Sequence, residues 1–134
     1  MSNADQAWLD QLADKGAQLH EVRRDLLRQQ PGATQRWFQG PDGCDLFLWY
    51  REPGPLQQIQ LTLLGRVIEW SDADGVRTGR LLSFDPLRPT RDMSRLVFDR
   101  APEPETIRLA RAFLVRAGVD DVTLALVRVR LGLK

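Results

Sequence analysis

RWFQGPDGCDLFLWYREPGPLQQIQLTLLGRVIEWSDADGVRTGRLL, residues 36–82, is the stretch that decides the fold. Short apolar runs are cut at close intervals by turn residues, the pattern of an antiparallel meander. Gly40-Pro41-Asp42-Gly43 separates a run at 34–39 from one at 44–51. Pro41 presets φ for a turn, and Gly43 tolerates the backbone that follows. Glu52-Pro53-Gly54-Pro55 then leads into 56–64, with Pro-Gly suited to the centre of a type II turn. Gly65 closes that run, 66–71 is a fourth strand, and Asp72-Ala73-Asp74-Gly75 is a hairpin loop into 76–82.

Two-residue turns at the first two corners put Trp37 opposite Leu46, Gln39 opposite Cys44, Leu48 opposite Ile59 and Leu46 opposite Leu61. A tight turn at Leu64-Gly65 puts Ile68 opposite Leu61 and Trp70 opposite Ile59. Because side chains alternate across a strand, one face then collects Trp37, Cys44, Leu46, Leu48, Tyr50, Ile59, Leu61, Leu63, Ile68 and Trp70. Four strands agree on this face, which is expected to be the core; a slip of one residue would scramble it. The parity of the fifth strand stays open, with Gly79 a candidate bulge.

The other face collects Arg36, Phe38, Asp45, Phe47, Trp49, Arg51, Gln58, Gln60, Thr62, Val67 and Glu69. It is too polar for a second core and too aromatic for an ordinary solvated surface. Either a helix covers its aromatic part, or it is a binding surface of aromatics among hydrogen-bonding groups. The candidate binding residues are Arg36, Phe47, Trp49, Arg51, Gln58 and Gln60.

The flanks read as helix. Trp8, Leu12, Leu19, Val22 and Leu26 form an apolar stripe from Asp5 to about Gln29, with Lys15 in the seam and Gly16 a candidate break. Pro31-Gly32 ends it. The stripe either docks on the sheet or pairs with a second copy; a lysine in the seam makes a poor zipper. Residues 85–101 are irregular because Pro86 and Pro89 forbid a long helix, although 96–98 has the look of a short strand. This loop holds the candidate anion-binding residues Arg88, Arg91 and Arg95. Pro102-Glu103-Pro104-Glu105 opens a helix carrying Ile107, Ala110, Phe113, Leu114 and Ala117, and Gly118 ends it. Asp120 caps a last helix through about Leu131, although 127–131 also alternates like a strand.

At 134 residues the chain suits one domain: a helical segment at 1–30, the meander at 34–84, the irregular basic loop at 85–101 and helices at 102–131. The predicted class is α+β, with an N-terminal helix, a five-stranded antiparallel meander and two C-terminal helices packed on one sheet face. A hydrophobic content of 43% and a charged content of 28% are ordinary globular values and set no special class. No apolar run reaches the roughly 20 residues of a membrane span, and no leader is recognisable, so the cytoplasm is the expected compartment. One cysteine excludes a disulfide framework. Net charge is +1, yet residues 77–134 carry 12 basic and 7 acidic groups against 7 and 11 in residues 1–76. The C-terminal half is therefore the place to look for an anionic partner.

Catalytic groups are sparse. His20 is the one histidine and Cys44 sits on the expected core face, which speaks against a Cys–His nucleophile and against zinc. Asp72-Ala73-Asp74-Gly75 starts like a calcium loop but lacks the later ligands, so it reads as a plain hairpin. No metal, cofactor or catalytic residue is expected, and no glycine cluster forms a phosphate loop.

Arg36-Trp37-Phe38, Cys44-Asp45-Leu46-Phe47-Leu48-Trp49, Ile59-Gln60-Leu61, Glu69-Trp70 and Met93-Ser94-Arg95-Leu96-Val97 resemble a group of small bacterial proteins with no established activity. Those proteins carry a W-F…D-L-x-V-W…F-Q-L-C-Y-D…A-L-T-W…M-x-P-I-L pattern and end in two helices. The resemblance spans about residues 35–131 and favours helix for 120–131. It departs at Leu61-Thr62-Leu63-Leu64-Gly65, where the Cys-Tyr-Asp of the group is missing, and it implies no functional residue. The expected function is thus a non-catalytic interaction module whose partner is a protein or a second copy. The alternatives are binding of single-stranded nucleic acid or a phosphorylated ligand on the polar-aromatic face, and an enzyme without a recognisable motif.

Overall fold

The computed structural model describes residues 3–27, 32–51, 54–82, 87 and 95–133. Helix α1 spans Asn3–Ala17 and is followed by β1 (His20–Glu21), β2 (Ala33–Gln39), β3 (Asp45–Arg51), β4 (Leu56–Leu63), β5 (Arg66–Ser71), β6 (Gly75–Leu81) and β7 (Leu96–Phe98). Helices α2 (Pro104–Phe113) and α3 (Asp121–Arg130) complete the chain. The fold is α+β, and the sheet is antiparallel in sequence order, β1 to β7. Among the described residues it has seven strands instead of the expected five: β1 and β7 add a short edge on each side.

The registers of β3 with β4 and of β4 with β5 are those expected, with Leu46 opposite Leu61, Leu48 opposite Ile59 and Ile68 opposite Leu61. Leu64 and Gly65 both adopt positive φ, the two-residue hairpin geometry that fixes this parity. Leu46, Leu48, Ile59 and Leu61 are all wholly buried on one face. A bulge at the far end of β3–β4 leaves Gln57 without an opposite number: Trp49 faces Gln58, but Tyr50 faces Leu56. The turn beyond it falls partly outside the described residues at Glu52 and Pro53.

The β2–β3 register differs by one residue from the expected one. Cys44 N–H donates to the Pro41 carbonyl and Gly40 N–H to the Cys44 carbonyl, so the loop closes on three residues, Pro41-Asp42-Gly43. Asp42 (φ 57°) and Gly43 (φ 75°) both take left-handed backbone to do so. Trp37 therefore faces Phe47, and Phe38 faces Leu46. The correction moves Trp37 off the core face and puts Phe38, 2% exposed, onto it with Arg36. In β6 the register runs unbroken through Gly79, so there is no bulge there. A Cβ on Gly79 would lie 2.7 Å from the Val97 carbonyl oxygen of β7, so glycine serves a close strand approach instead.

All three helices send apolar side chains into one core: Leu12 from α1, Leu109, Ala110 and Phe113 from α2, and Val127 from α3 join the sheet residues. Helix α1 ends at Ala17, well short of the expected Gln29. Gly118 N–H donates to the Gly16 carbonyl at 3.0 Å, and the chain then turns to pair His20 with Gln39. Leu26, expected on the helical stripe, is 69% exposed. Asp120 caps α3 as anticipated, accepting from Thr123 N–H at 3.2 Å.

Arg36 ties β2 to its neighbours. Its guanidinium donates to both carboxylate oxygens of Glu21 at 2.8 Å, to Asp120 at 3.1 Å and to the Thr123 hydroxyl at 3.1 Å. The Arg36 bond holds the Glu21 carboxyl below its ordinary 4.5, and the Thr123 hydroxyl, then Arg36, hold Asp120 below its usual range. A depressed folded-state pKa stabilises the fold above the ordinary value and is lost as pH falls through the folded one. Arg36→Met is therefore expected to lower stability most near neutral pH. The gap from the native protein should shrink once pH falls below the ordinary glutamate value of 4.5. Urea melts across that range check this; a gap independent of pH would rule the clasp out as the cause.

Candidate functional site

Alternation and the corrected register bring Trp37, Phe47 and Trp49 together on the second face of the sheet. Phe47 stacks on Trp37 at 5.6 Å between ring centroids and on Trp49 at 5.8 Å, with planes within 14° and 21° of parallel. The three rings form one row across β2 and β3. All three are half-buried, and none belongs to the helix-covered core cluster. Tyr50 and Trp70, in contrast, pack against that core. The apolar sides of the helices are spent on the other face, so the expectation that a helix covers these aromatics gives way.

Polar groups frame the row. Trp37 Nε1–H donates to Asp45 Oδ1 at 2.8 Å, and Asp45, 1% exposed, is itself held by its N–H bond to the Thr62 hydroxyl. Across β4, Gln58 faces Trp49 and Gln60 faces Phe47. Next to them Glu69, 5% exposed, accepts from Arg77 at 2.7 Å and from Gln60 at 3.5 Å, and Arg77 lies 4.0 Å over the Phe98 ring. The charges of this face are thus satisfied by one another: Arg77 with Glu69, and Arg51 with Asp72 at 3.4 Å.

Of the residues nominated from sequence, the structure brings Phe47, Trp49, Gln58 and Gln60 together, with Arg51 exposed at the margin. Arg36 is not among them: it lies on the core face, in the Glu21–Asp120–Thr123 clasp. Arg95 is exposed beside β7, while Arg88 and Arg91 lie outside the described residues. Trp37 was missed, and its signal was there in Pro-Asp-Gly, a three-residue hairpin loop with glycine at the left-handed position. Part of the basic excess of the C-terminal half is paired internally. Arg80 pairs with Glu103, Arg108 with Asp5 and Glu105, and Arg116 with Asp14.

No acid–base site assembles elsewhere among the described residues. Cys44 is wholly buried, and burial pushes its thiol up to about 11, so it is no nucleophile at neutral pH. No three His, Cys, Asp or Glu side chains among the described residues are placed to hold a metal ion. An open groove of about 370 Å³ runs between α1 and α2, floored by Leu9, Ala13 and Ala112. Its rim arginines Arg108 and Arg116 are held by carboxylates, leaving, among the described residues, Arg111 without a partner and no paired carboxylates to move a proton. No helix among the described residues is long and apolar enough to cross a membrane. Compared with protein-family models, curated proteins and solved structures, the chain matches none.

Proposed function

We propose that the protein is a non-catalytic interaction module that binds a protein partner through the second face of its sheet. The stacked row Trp37–Phe47–Trp49 carries this reading. Aromatic side chains half-exposed outside the core, with few free charges nearby, are the composition of an interface centre. Rings already ordered against one another lose little entropy on binding. Gln58 and Gln60 supply donors and acceptors for a peptide backbone or side chains.

Trp49→Ala and Phe47→Ala are each expected to weaken partner binding by about 2 kcal/mol or more, roughly 30-fold, as anchor residues do. Partners cross-linked to the native protein in a lysate are identified and then titrated, purified, against the native protein and both variants. An affinity indifferent to both substitutions defeats the proposal.

Base stacking of single-stranded nucleic acid on the same row is the second reading, favoured by the parallel rings. The paired state of Arg51 and Arg77 and the position of Arg36 weigh against it. Tight, steeply salt-dependent binding of a labelled oligonucleotide, lost in Trp49→Ala, would replace the protein reading with this one.

A further inference from the structure

We propose that two copies of this chain associate through α3, packed antiparallel across a two-fold axis near Ala125. Helix α3 buries Thr123 and Val127 against the fold, yet part of its outer side is apolar. Val122 is 82% exposed, Val129 is 64% exposed, and Ala125 is exposed between them. Spacings of three and four residues place these three in one outward stripe.

Two charges lie along one flank of that stripe. Asp121 and Arg128 are seven residues apart, two helical turns, and so share the same side. Among the described residues neither side chain makes an ion pair or hydrogen bond, unlike most charged groups of this protein. The acid sits at the start of the helix and the base near its end. A helix with this order is complementary to a reversed copy of itself, and a two-fold axis brings like flanks together with their ends reversed. Asp121 then meets Arg128 of the second copy, twice per dimer. An axis at Ala125 puts Asp121 within one residue of Arg128 of the second copy and Val122 within one residue of its Val129, with the small Ala125 letting the helices approach. Apolar contact and charge thus ask for one and the same arrangement. The aromatic sheet row is not part of it, because α3 packs on the opposite face.

A pair of ten-residue helices buries less than a standard interface, so the expected dimer is weak, with a Kd on the order of 100 µM. Sedimentation of the 134-residue chain up to about 1 mM reads it directly. Asp121→Arg and Arg128→Asp each put two like-charge pairs across the axis and should weaken the dimer by about tenfold. Mixing these two variants in equal amounts restores both opposite-charge pairs, so a heterodimer near native strength should form. Val122→Glu, at an exposed first-turn position where an acid suits the helix, should abolish association while melting normally. The proposal is overturned by a native protein that stays monomeric at the highest concentration. A dimer that tolerates Val122→Glu, or single charge variants that do not recover on mixing, overturn it equally.

Discussion

Phe113→Ala should lower the stability of the fold by about 3–5 kcal/mol, a large share of the 5–15 kcal/mol a domain of this kind possesses. Phe113 is the largest fully buried side chain among the described residues and sits where α2 presses into the core, beside the end of α1. Removing the ring deletes its burial and leaves a cavity that two helices and a sheet hold open. Urea unfolding should show a lower midpoint with an unchanged slope, because the surface exposed on unfolding hardly alters. A loss under about 1 kcal/mol would mean that the site collapses freely and that α2 is not packed as described.

Gly16→Ala should destabilise by about 2 kcal/mol, although helix propensity alone calls for a gain of about 1 kcal/mol. A Cβ at Gly16 would stand 1.8 Å from the Phe113 carbonyl oxygen and 2.9 Å from its carbonyl carbon. These are backbone atoms, so the helices must separate, and the Gly118 N–H bond to the Gly16 carbonyl goes with them. Gly118 has the same need, since its Cβ would lie 2.0 Å from the Leu19 carbonyl oxygen. Thermal melts of Gly16→Ala decide between the two effects by sign: a raised midpoint would show that propensity wins and the contact yields.

Gly16 shows where sequence reading stops. In the sequence it is a weak spot in a helical stripe, and the stripe reads on through Leu19, Val22 and Leu26. Nothing local says that another backbone needs the space, or that Leu19 leaves the helix to reach the core, 4% exposed, while Leu26 points to solvent. Helical periodicity in five positions is satisfied equally by a real helix and by a helix, a short strand and a turn laid end to end.

The candidate site divides along the same line. Phe47, Trp49, Gln58 and Gln60 were legible because strand alternation is rigid, and the β3–β4–β5 corners are set by a tight hairpin whose parity the Leu-Gly pair fixes. Trp37 and Arg36 were exchanged because a side chain's face depends on whether its turn holds two residues or three. The ring row, which needs Trp37, was therefore invisible.

Residue order alone determined the α+β class, the meander, the wholly buried face of Leu46, Leu48, Ile59 and Leu61, and the capped helix after Asp120, because each follows from alternation, turn chemistry or capping within a few residues. The tertiary structure decided the two added edge strands, the end of α1, the face taken by β2 and the internal pairing of the arginines. These turn on one extra residue in a loop and on backbones meeting at Gly16 and Gly118, contacts between segments about 100 residues apart. Local preference cannot weigh such contacts, since their free energy exists only once the chain has closed on itself.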